Sequence, residues 1–406
     1  MTATYEAPSA TRELELQAPT TTAAVLANAD ALAPQVRAEA DRCESDARLS
    51  EPLARLFRAA GLFQMGFPAS RGGLEMSLTD QLSVVTTISA VDASAGWNVA
   101  VLNASGYYAG RLGEATYHEL YPTRDMPTGG SFHPPGRAEI VDGGYLVSGR
   151  WDWGSGTLSA EHVVGGCRVF HDGEPALRED GRQRLLGVWL PRQAVRHLDN
   201  WQALGICGSG SGSYEITEPT FVPASHTFDR EAPPNPDADP LNKHVGLLFF
   251  PLTGVFLGLA RHAVDLTVRA VRARSGGDLG RLDAATTRDL GQAAGELDIV
   301  ERGIVEVARR TDDAIFTPGR VLDPLEEARL RVTNTQAGET LRHVVDVCGD
   351  LYGSRYIYRS DPLERVLRDA WGALAHFGAK RFHWSGYGEE LLRREAGASR
   401  NGHRSG

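Results

Sequence analysis

Apolar side chains recur at helical spacing on either side of a segment in which they alternate, so the chain divides into two helical blocks around a β section. Helical patterning runs from about Thr22 to Tyr121. Within it Leu53, Leu56, Phe57 and Ala60 share one face, and Gly61 stands where such a helix stops. From Leu78 to Ser105 small residues dominate, which suits closely packed buried helices. Pro122, Pro127 and Gly129-Gly130 mark the crossing into the β section. There Asp142-Gly143-Gly144 reads as a hairpin turn, because adjacent glycines supply the positive φ of a two-residue loop. Tyr145, Val147 and Gly149 then alternate with Leu146, Ser148 and Arg150 as a strand does. On that pattern Trp151 and Trp153 fall on one strand face. Gly154, Ser155 and Gly156 come next, leaving N–H groups and a hydroxyl open to something flat.

The β section closes near Arg230, and Ala232 to Pro240 is a Pro/Asp-rich linker. Beyond it Leu248, Leu252, Val255, Phe256, Leu259, Ala263, Leu266 and Ala270 return to helical spacing. Further helices are predicted over Asp283–Ala314 and Pro324–Asp350. A last helix starts at Asp361-Pro362-Leu363-Glu364, which has the makings of a capping box. The expected organisation is a disordered tail over 1–20, a helical domain over 21–125, a central β domain over 126–232 and a helical bundle over 241–397. A frayed polar tail ends the chain, and there is no internal repeat.

Composition narrows the class. A chain of 406 residues with 42% apolar content can bury a large core. A net charge of -10 without clustered Lys and Arg argues against a nucleic-acid partner. Cys43, Cys167, Cys207 and Cys348 lie far apart, with no metal-ligand spacing and no secretory leader pattern, so reduced thiols in a cytoplasmic protein and no metal are expected. The run from Val245 to Ala260 is interrupted by Gly246, Pro251 and Gly258. It is shorter than the ~20 residues a membrane span needs, so a buried helix and no membrane association are expected.

Candidate chemistry sits in three places. Trp153, Ser155 and Gly156 can contact a flat ligand, or the tryptophans can simply cover a surface hairpin. The run Gly208 to Ser213 can cradle a phosphate through its N–H groups or act as a flexible bend. It precedes no helix, so it is neither a Rossmann nor a P-loop element, and NAD(P)H oxidation by this chain alone is not expected. On the last helix His376 shares a face with Asp369, and Gly372 and Ala373 leave that face smooth. A histidine titrating near neutrality there can move protons, or it is a satisfied structural residue. His383 on the same stripe is a weaker candidate.

Several segments together resemble the acyl-CoA dehydrogenase fold over roughly Glu39 to Leu392, and more closely its oxygen-using branch. They are Gly66-Phe67-Pro68 with Arg71-Gly72-Gly73; Ser94-Ala95-Gly96-Trp97; Ser131-Phe132-His133-Pro134; Gly149 through Gly156; Trp201 through Gly212 with Phe221-Val222-Pro223; Cys348 through Tyr352; and Pro362 through Asp369. The resemblance implies a mainly α protein with a central β-barrel-like domain and a C-terminal four-helix bundle that forms a homotetramer. It implies a flavin-dependent monooxygenase that takes reduced FMN or FAD from a separate flavin reductase and uses O2 through a C4a-hydroperoxyflavin. The substrate would be an aromatic, polyketide-type or amine intermediate of secondary metabolism. Carried over residue by residue, Ser131, Phe132, Pro134, Trp153, Ser155, Gly156, Gly349 and Tyr352 would bind cofactor. Trp97, Asn98, Tyr107 and His133 would meet substrate, and His376 with Ser155 would be catalytic.

Two departures matter. The family's dehydrogenases need a carboxylate base, yet Ala375 to Lys380 and Gly246 to Pro251 contain none, which disfavours dehydrogenation. Phenol-hydroxylating relatives often carry a histidine where this chain has Gly106, which speaks against simple phenol recognition. The rival readings are an acyl-CoA dehydrogenase with a relocated base and a member that only binds or cyclises a product.

Overall fold

Asp142 and Gly143 form the expected two-residue corner between β1 (Thr128–Val141) and β2 (Gly144–Trp151), with Gly143 at φ 74°. The computed structural model describes residues 14–232 and 237–402, so the predicted disorder of residues 1–13, the middle of the linker and the last four residues lie outside the described residues. Among the described residues seven helices precede the sheet. They are α1 (Thr22–Ala31), α2 (Ala33–Ser45), α3 (Glu51–Ala59), α4 (Leu78–Ser89), α5 (Ala93–Leu102), α6 (Ser105–Ala109) and α7 (Glu114–Leu120). The sheet continues with β3 (His162–His171), β4 (Glu174–Pro175), β5 (Leu185–Leu190), β6 (Arg196–His197), β7 (Tyr214–Pro223) and β8 (Thr227–Asp229). Then come α8 (Thr253–Arg274), α9 (Ala284–Ile315), α10 (Pro324–Tyr352), α11 (Pro362–Leu374) and α12 (Phe382–Gly402).

The strand order is β6-β7-β2-β1-β3-β5-β8, with β4 on β3, and pairing is antiparallel except between β1 and β3. Val147, Trp151, Cys167, Val188 and Ile216, drawn from across the sheet, meet in one buried cluster, so the sheet wraps its own core. A second, larger core joins the N-terminal helices to the C-terminal ones, with Phe57, Phe67 and Phe256 fully buried. Each such side chain contributes about 2 kcal/mol of burial.

Several local expectations need correcting. Residues 14–20 are ordered, because Asn28 exchanges hydrogen bonds with both backbone groups of Gln17 and Leu14 and Leu16 pack on the core. The capping box forms at Asp323 and Glu326, at the start of α10. At α11 Asp361 caps alone, because the Glu364 carboxylate turns to the Arg368 guanidinium at 2.6 Å. The stretch from Val245 begins as a 3-10 segment through Leu252 before α8 takes over. Among the described residues one helical stretch, Gly246–Arg274, is long and apolar enough to cross a membrane by composition, but 78% of its apolar window is packed inside the protein. The last helix of the sequence reading is two helices: α11 ends at Leu374, and α12 runs to Gly402 where fraying was expected.

Candidate active site

The hairpin strand stops at Trp151, and this sends the two tryptophans to opposite fates. Trp151 is fully buried, stacks on Tyr214 at 5.4 Å and donates its indole N–H to the Gly166 carbonyl at 2.8 Å. Trp153 adopts φ 63°, a left-handed turn that swings its indole outward. It is 70% exposed and touches only the edge of Trp201 among ring contacts of the described residues. The expectation that both share one face is therefore wrong, because the strand geometry ends between them. The chain then tightens into a turn: Gly156 sits at φ 73°, and a Cβ there would come within 2.7 Å of the Leu102 side chain.

Ser155 anchors the site. Its hydroxyl oxygen accepts from the Trp97 indole N–H at 3.2 Å and lies 2.6 Å from the Ser211 hydroxyl, which lies 2.7 Å from that of Ser209. Trp97 comes from α5, where Asp92 caps the first turn by accepting from the Ala95 N–H. The Trp97 ring meets the His376 ring edge-on at 5.4 Å. Helix, sheet and C-terminal segment thus converge on one point through Trp97.

His376 does not ride on a helix with Asp369. It stands between α11 and α12, opening a 3-10 turn over Phe377–Ala379, and its Nδ1 accepts from the Gly378 N–H at 3.1 Å. A neutral imidazole then carries its proton on Nε2. Burial pulls its pKa down to about 4, with the Lys380 charge adding to the effect, so the ring is uncharged at neutral pH. That replaces the near-neutral titration expected from sequence. The smooth surface of Gly372 meets no ligand either: a Cβ there would come within 2.8 Å of the Gly205 backbone, so it lets α11 pack against the loop that carries Ile206.

Asp369, predicted to flank His376, is buried and accepts from the Ile206 N–H at 2.6 Å. Burial pushes its carboxyl up to about 8, and the charge on Asp92 adds to the rise. The folded state therefore holds a proton that the unfolded state releases, and stability falls as pH rises toward the folded value. Glu75, pushed up to about 7 by burial, adds to this fall, while histidines held below their ordinary value, such as His376 and His262, oppose it near the unfolded histidine value. We predict that Asp369 by itself contributes a loss on the order of 1–2 kcal/mol between about pH 6.5 and about pH 8.5. Denaturant melts at the two pH values should show a markedly smaller loss in Asp369→Asn, and an equal loss in both proteins would refute this assignment.

The other predicted residues fall in different places. Ser131 donates its N–H to the Tyr214 hydroxyl at 2.8 Å, just before a bulge in β1 that ends at Gly136. Within that bulge His133 is exposed and Pro134 half-buried. Phe132 turns the other way, packing at 4.1 Å on Tyr108 and against Phe228, so its ring belongs to the core and only its backbone faces the bulge. Asn98 is buried and donates to the Ser94 and Gly208 carbonyls, holding the 207–209 turn, while its Oδ1 has no partner among the described residues. Tyr107 is not placed to meet a substrate: its hydroxyl donates to Gln81 at 3.1 Å inside the helical domain. Gly349 and Tyr352 lie at the C-terminal end of α10, where Gly349 faces Tyr356 and the Tyr352 carbonyl accepts from Arg274. Within one chain the described contacts tie them to that end rather than to Ser155.

Beside His376 a small pocket of about 50 Å³ is lined by Leu247, Phe249, Phe250, Leu330, Phe377 and His383, among others. Asn334 fixes its wall by donating to the Phe249 carbonyl at 3.1 Å and accepting from the Thr253 hydroxyl. Among the described residues the only carboxylate lining it is Glu327, which accepts from His244 Nδ1 at 2.7 Å. That bond, with the nearby Arg331, holds the Glu327 carboxyl below its usual range. Sequence reasoning missed Ser209, Ser211 and this pocket. The alternating Gly-Ser run signalled the first two, and nothing in the sequence brings Phe249 to Phe377.

The exposed indole of Trp153, the close-approach glycine at 156 and the Ser155 hydroxyl suit a flat, polar-edged ring such as a flavin. Residues 21–119 match the acyl-CoA dehydrogenase N-terminal domain and residues 252–381 the acyl-CoA dehydrogenase C-terminal domain. The chain belongs to the acyl-CoA dehydrogenase family, and its relatives place it among the flavin-dependent monooxygenase oxygenase components. It is 25% identical over 365 residues to the flavin-dependent monooxygenase oxygenase subunit HsaA of Rhodococcus jostii, covering 86% of this chain and 92% of that one. It is 29% identical over 347 residues to indole-3-acetate monooxygenase of Pseudomonas putida, covering 82% and 85%. Its fold superimposes with a TM-score of 0.83 on XiaF from Streptomyces sp. in complex with FADH2 and glycerol, at 23% identity, covering 91% of this chain and 95% of that one.

Proposed function

We propose that this chain is the oxygenase component of a two-component flavin-dependent monooxygenase, using reduced FMN or FAD from a separate reductase and O2. The observation that carries the reading is the meeting of Ser155, Trp97 and His376 from three distant parts of the chain. The bound flavin would supply O2 activation, which no side chain here can perform. Ser131, Pro134, Trp153, Ser155 and Gly156 would hold the ring. Trp97 and the aromatic pocket wall would exclude water from it. Ser155 would bind the ring edge, and His376 would offer its Nε2–H to oxygen on the substrate side. A dehydrogenase with a relocated base is disfavoured because the carboxylate lining the pocket is tied to His244 and depressed in basicity.

The substrate we favour is an aromatic, polyketide-type or amine intermediate of secondary metabolism. Phe249, Phe250 and Phe377 supply apolar faces, and the Glu327 carboxylate is already engaged by a hydrogen bond from His244 and an ion pair with Arg331. Names of relatives such as indole-3-acetate monooxygenase accord with an aromatic ring. We also propose a homotetramer. Ile357, Trp371, Phe382 and Leu392 are exposed on and around the last helices, an apolar surface that subunit contact would cover. Gly349 and Tyr352 would then serve a neighbouring subunit's flavin, and light scattering reports the mass.

The test is stopped-flow mixing of the chain, loaded with reduced FMN, with oxygenated buffer. The expected result is flavin reoxidation slower than that of free reduced FMN, with one oxygen atom transferred to an aromatic substrate. Reoxidation at the free rate, or bleaching of bound oxidised flavin by an acyl-CoA without reductase, would overturn the reading.

A further inference from the structure

The Gly-Ser run that precedes β7 is largely buried, and the N–H groups of Gly208, Ser209, Gly210 and Ser213 already have partners within the protein. Ser209 and Ser211 are 1% and 5% exposed, and their hydroxyls form a chain that ends at Ser155. The sense of that chain is fixed by accounting for its protons. The Ser209 hydroxyl has Ser211 as its one hydrogen-bonding partner among the described residues. If it accepted from Ser211, its own O–H would be left buried and unpaired, at a cost of about 1–3 kcal/mol. It therefore donates to Ser211, and Ser211 in turn donates to Ser155. An indole N–H can only donate, so Trp97 takes the second lone pair of Ser155. Both lone pairs are then used and the Ser155 O–H is free.

We propose that Ser209 and Ser211 act as positioning residues that set the polarity of Ser155, making it a hydrogen-bond donor toward the cleft. The atom it receives is an acceptor. This rests on the flavin reading, in which Ser155 would bind the ring edge, and we take that edge to be the one carrying N5. Oxidised flavin offers an unprotonated nitrogen there, whereas reduced flavin carries an N–H. To accept from that N–H, Ser155 must turn its own proton onto Ser211, which reverses the chain and strands the Ser209 hydroxyl. The serine chain thus weakens the hold on reduced relative to oxidised flavin at this edge, and lowers the reduction potential of the bound flavin.

The experiment measures dissociation constants of oxidised and, anaerobically, reduced FMN for the intact wild-type chain and for Ser209→Ala, Ser211→Ala and Ser209→Thr. Removing the Ser209 hydroxyl abolishes the penalty for reversal, so Ser209→Ala shifts the ratio of the two constants toward reduced FMN by about tenfold. Ser211→Ala shifts it in the same direction. Ser209→Thr keeps the hydroxyl and retains the wild-type ratio. An unchanged ratio in both alanine variants refutes the proposal while leaving the flavin reading intact, and a threonine variant that behaves like alanine also refutes it, because packing would then be the cause. Failure of the wild-type chain to bind FMN or FAD in either redox form would overturn the flavin reading and the proposal together.

Discussion

Introducing histidine at position 106, the residue that resemblance to phenol-hydroxylating relatives would lead one to expect there, should unfold this protein rather than confer phenol chemistry. A Cβ on Gly106 would sit 2.1 Å from the Gly66 carbonyl carbon and 2.2 Å from the Phe67 nitrogen. Both are backbone atoms, so no rotamer change relieves the clash. They belong to the turn that the Asn103 side chain grips through the Gly66 N–H at 3.0 Å. Even Gly106→Ala should cost about 3 kcal/mol, at the upper end of what overpacking typically does, and Gly106→His should cost more. Gly291 is a contrasting control, since a Cβ there meets nothing within 4 Å on the exposed side of α9. Gly291→Ala should stabilise by about 0.5–1 kcal/mol, because alanine loses less backbone entropy than glycine in a helix. Urea midpoints of the three variants against wild type decide the matter, and a Gly106→Ala midpoint within error of wild type would show that the turn yields.

Replacing His376 by alanine should lower the rate of product formation by about 100-fold, the usual loss when one pre-positioned donor to a reacting oxygen is removed. The donor is the Nε2–H, because Nδ1 is occupied by the Gly378 N–H. The pH profile separates this role from that of a histidine shuttling protons at neutrality. With its pKa pulled down to about 4, the imidazole stays neutral through the physiological range and gains a second proton only in acid. The wild-type rate should therefore carry no histidine step near about pH 6.5 and should change only as pH falls toward the depressed value. Rates under saturating reduced flavin, measured across that range, provide the check. An acid limb with its midpoint near the ordinary histidine value would sink the neutral-donor assignment. A variant that binds flavin and substrate normally but loses less than a few-fold in rate would remove His376 from the chemistry.

The helical blocks, the Asp142-Gly143 hairpin and the crossing into the β section were legible because each rests on local rules. Apolar spacing selects the element, and Gly, Pro and Asp end or begin it within a few residues. Most errors of detail lie where a local pattern met a distant partner. Trp153 breaks the alternation because β2 ends before it, and Glu364 leaves its capping role because Arg368 offers a stronger charge–charge contact one turn on. Phe132 alternates as a strand residue should, yet the face it occupies is the one that Tyr108 and Phe228 cover.

The chain's periodicity and punctuation by themselves determined an α–β–α organisation, and its motifs carried the family resemblance that put Trp97 forward beside Ser155 and His376. Tertiary structure alone decided that those residues touch, that Tyr107 and Asp369 serve the core, and that the buried Ser209 hydroxyl, distant in sequence, can orient Ser155 through Ser211. The physical reason is range. Backbone propensity and capping act over one or two turns, whereas desolvation and the pairing of buried polar groups depend on which distant segments close around them.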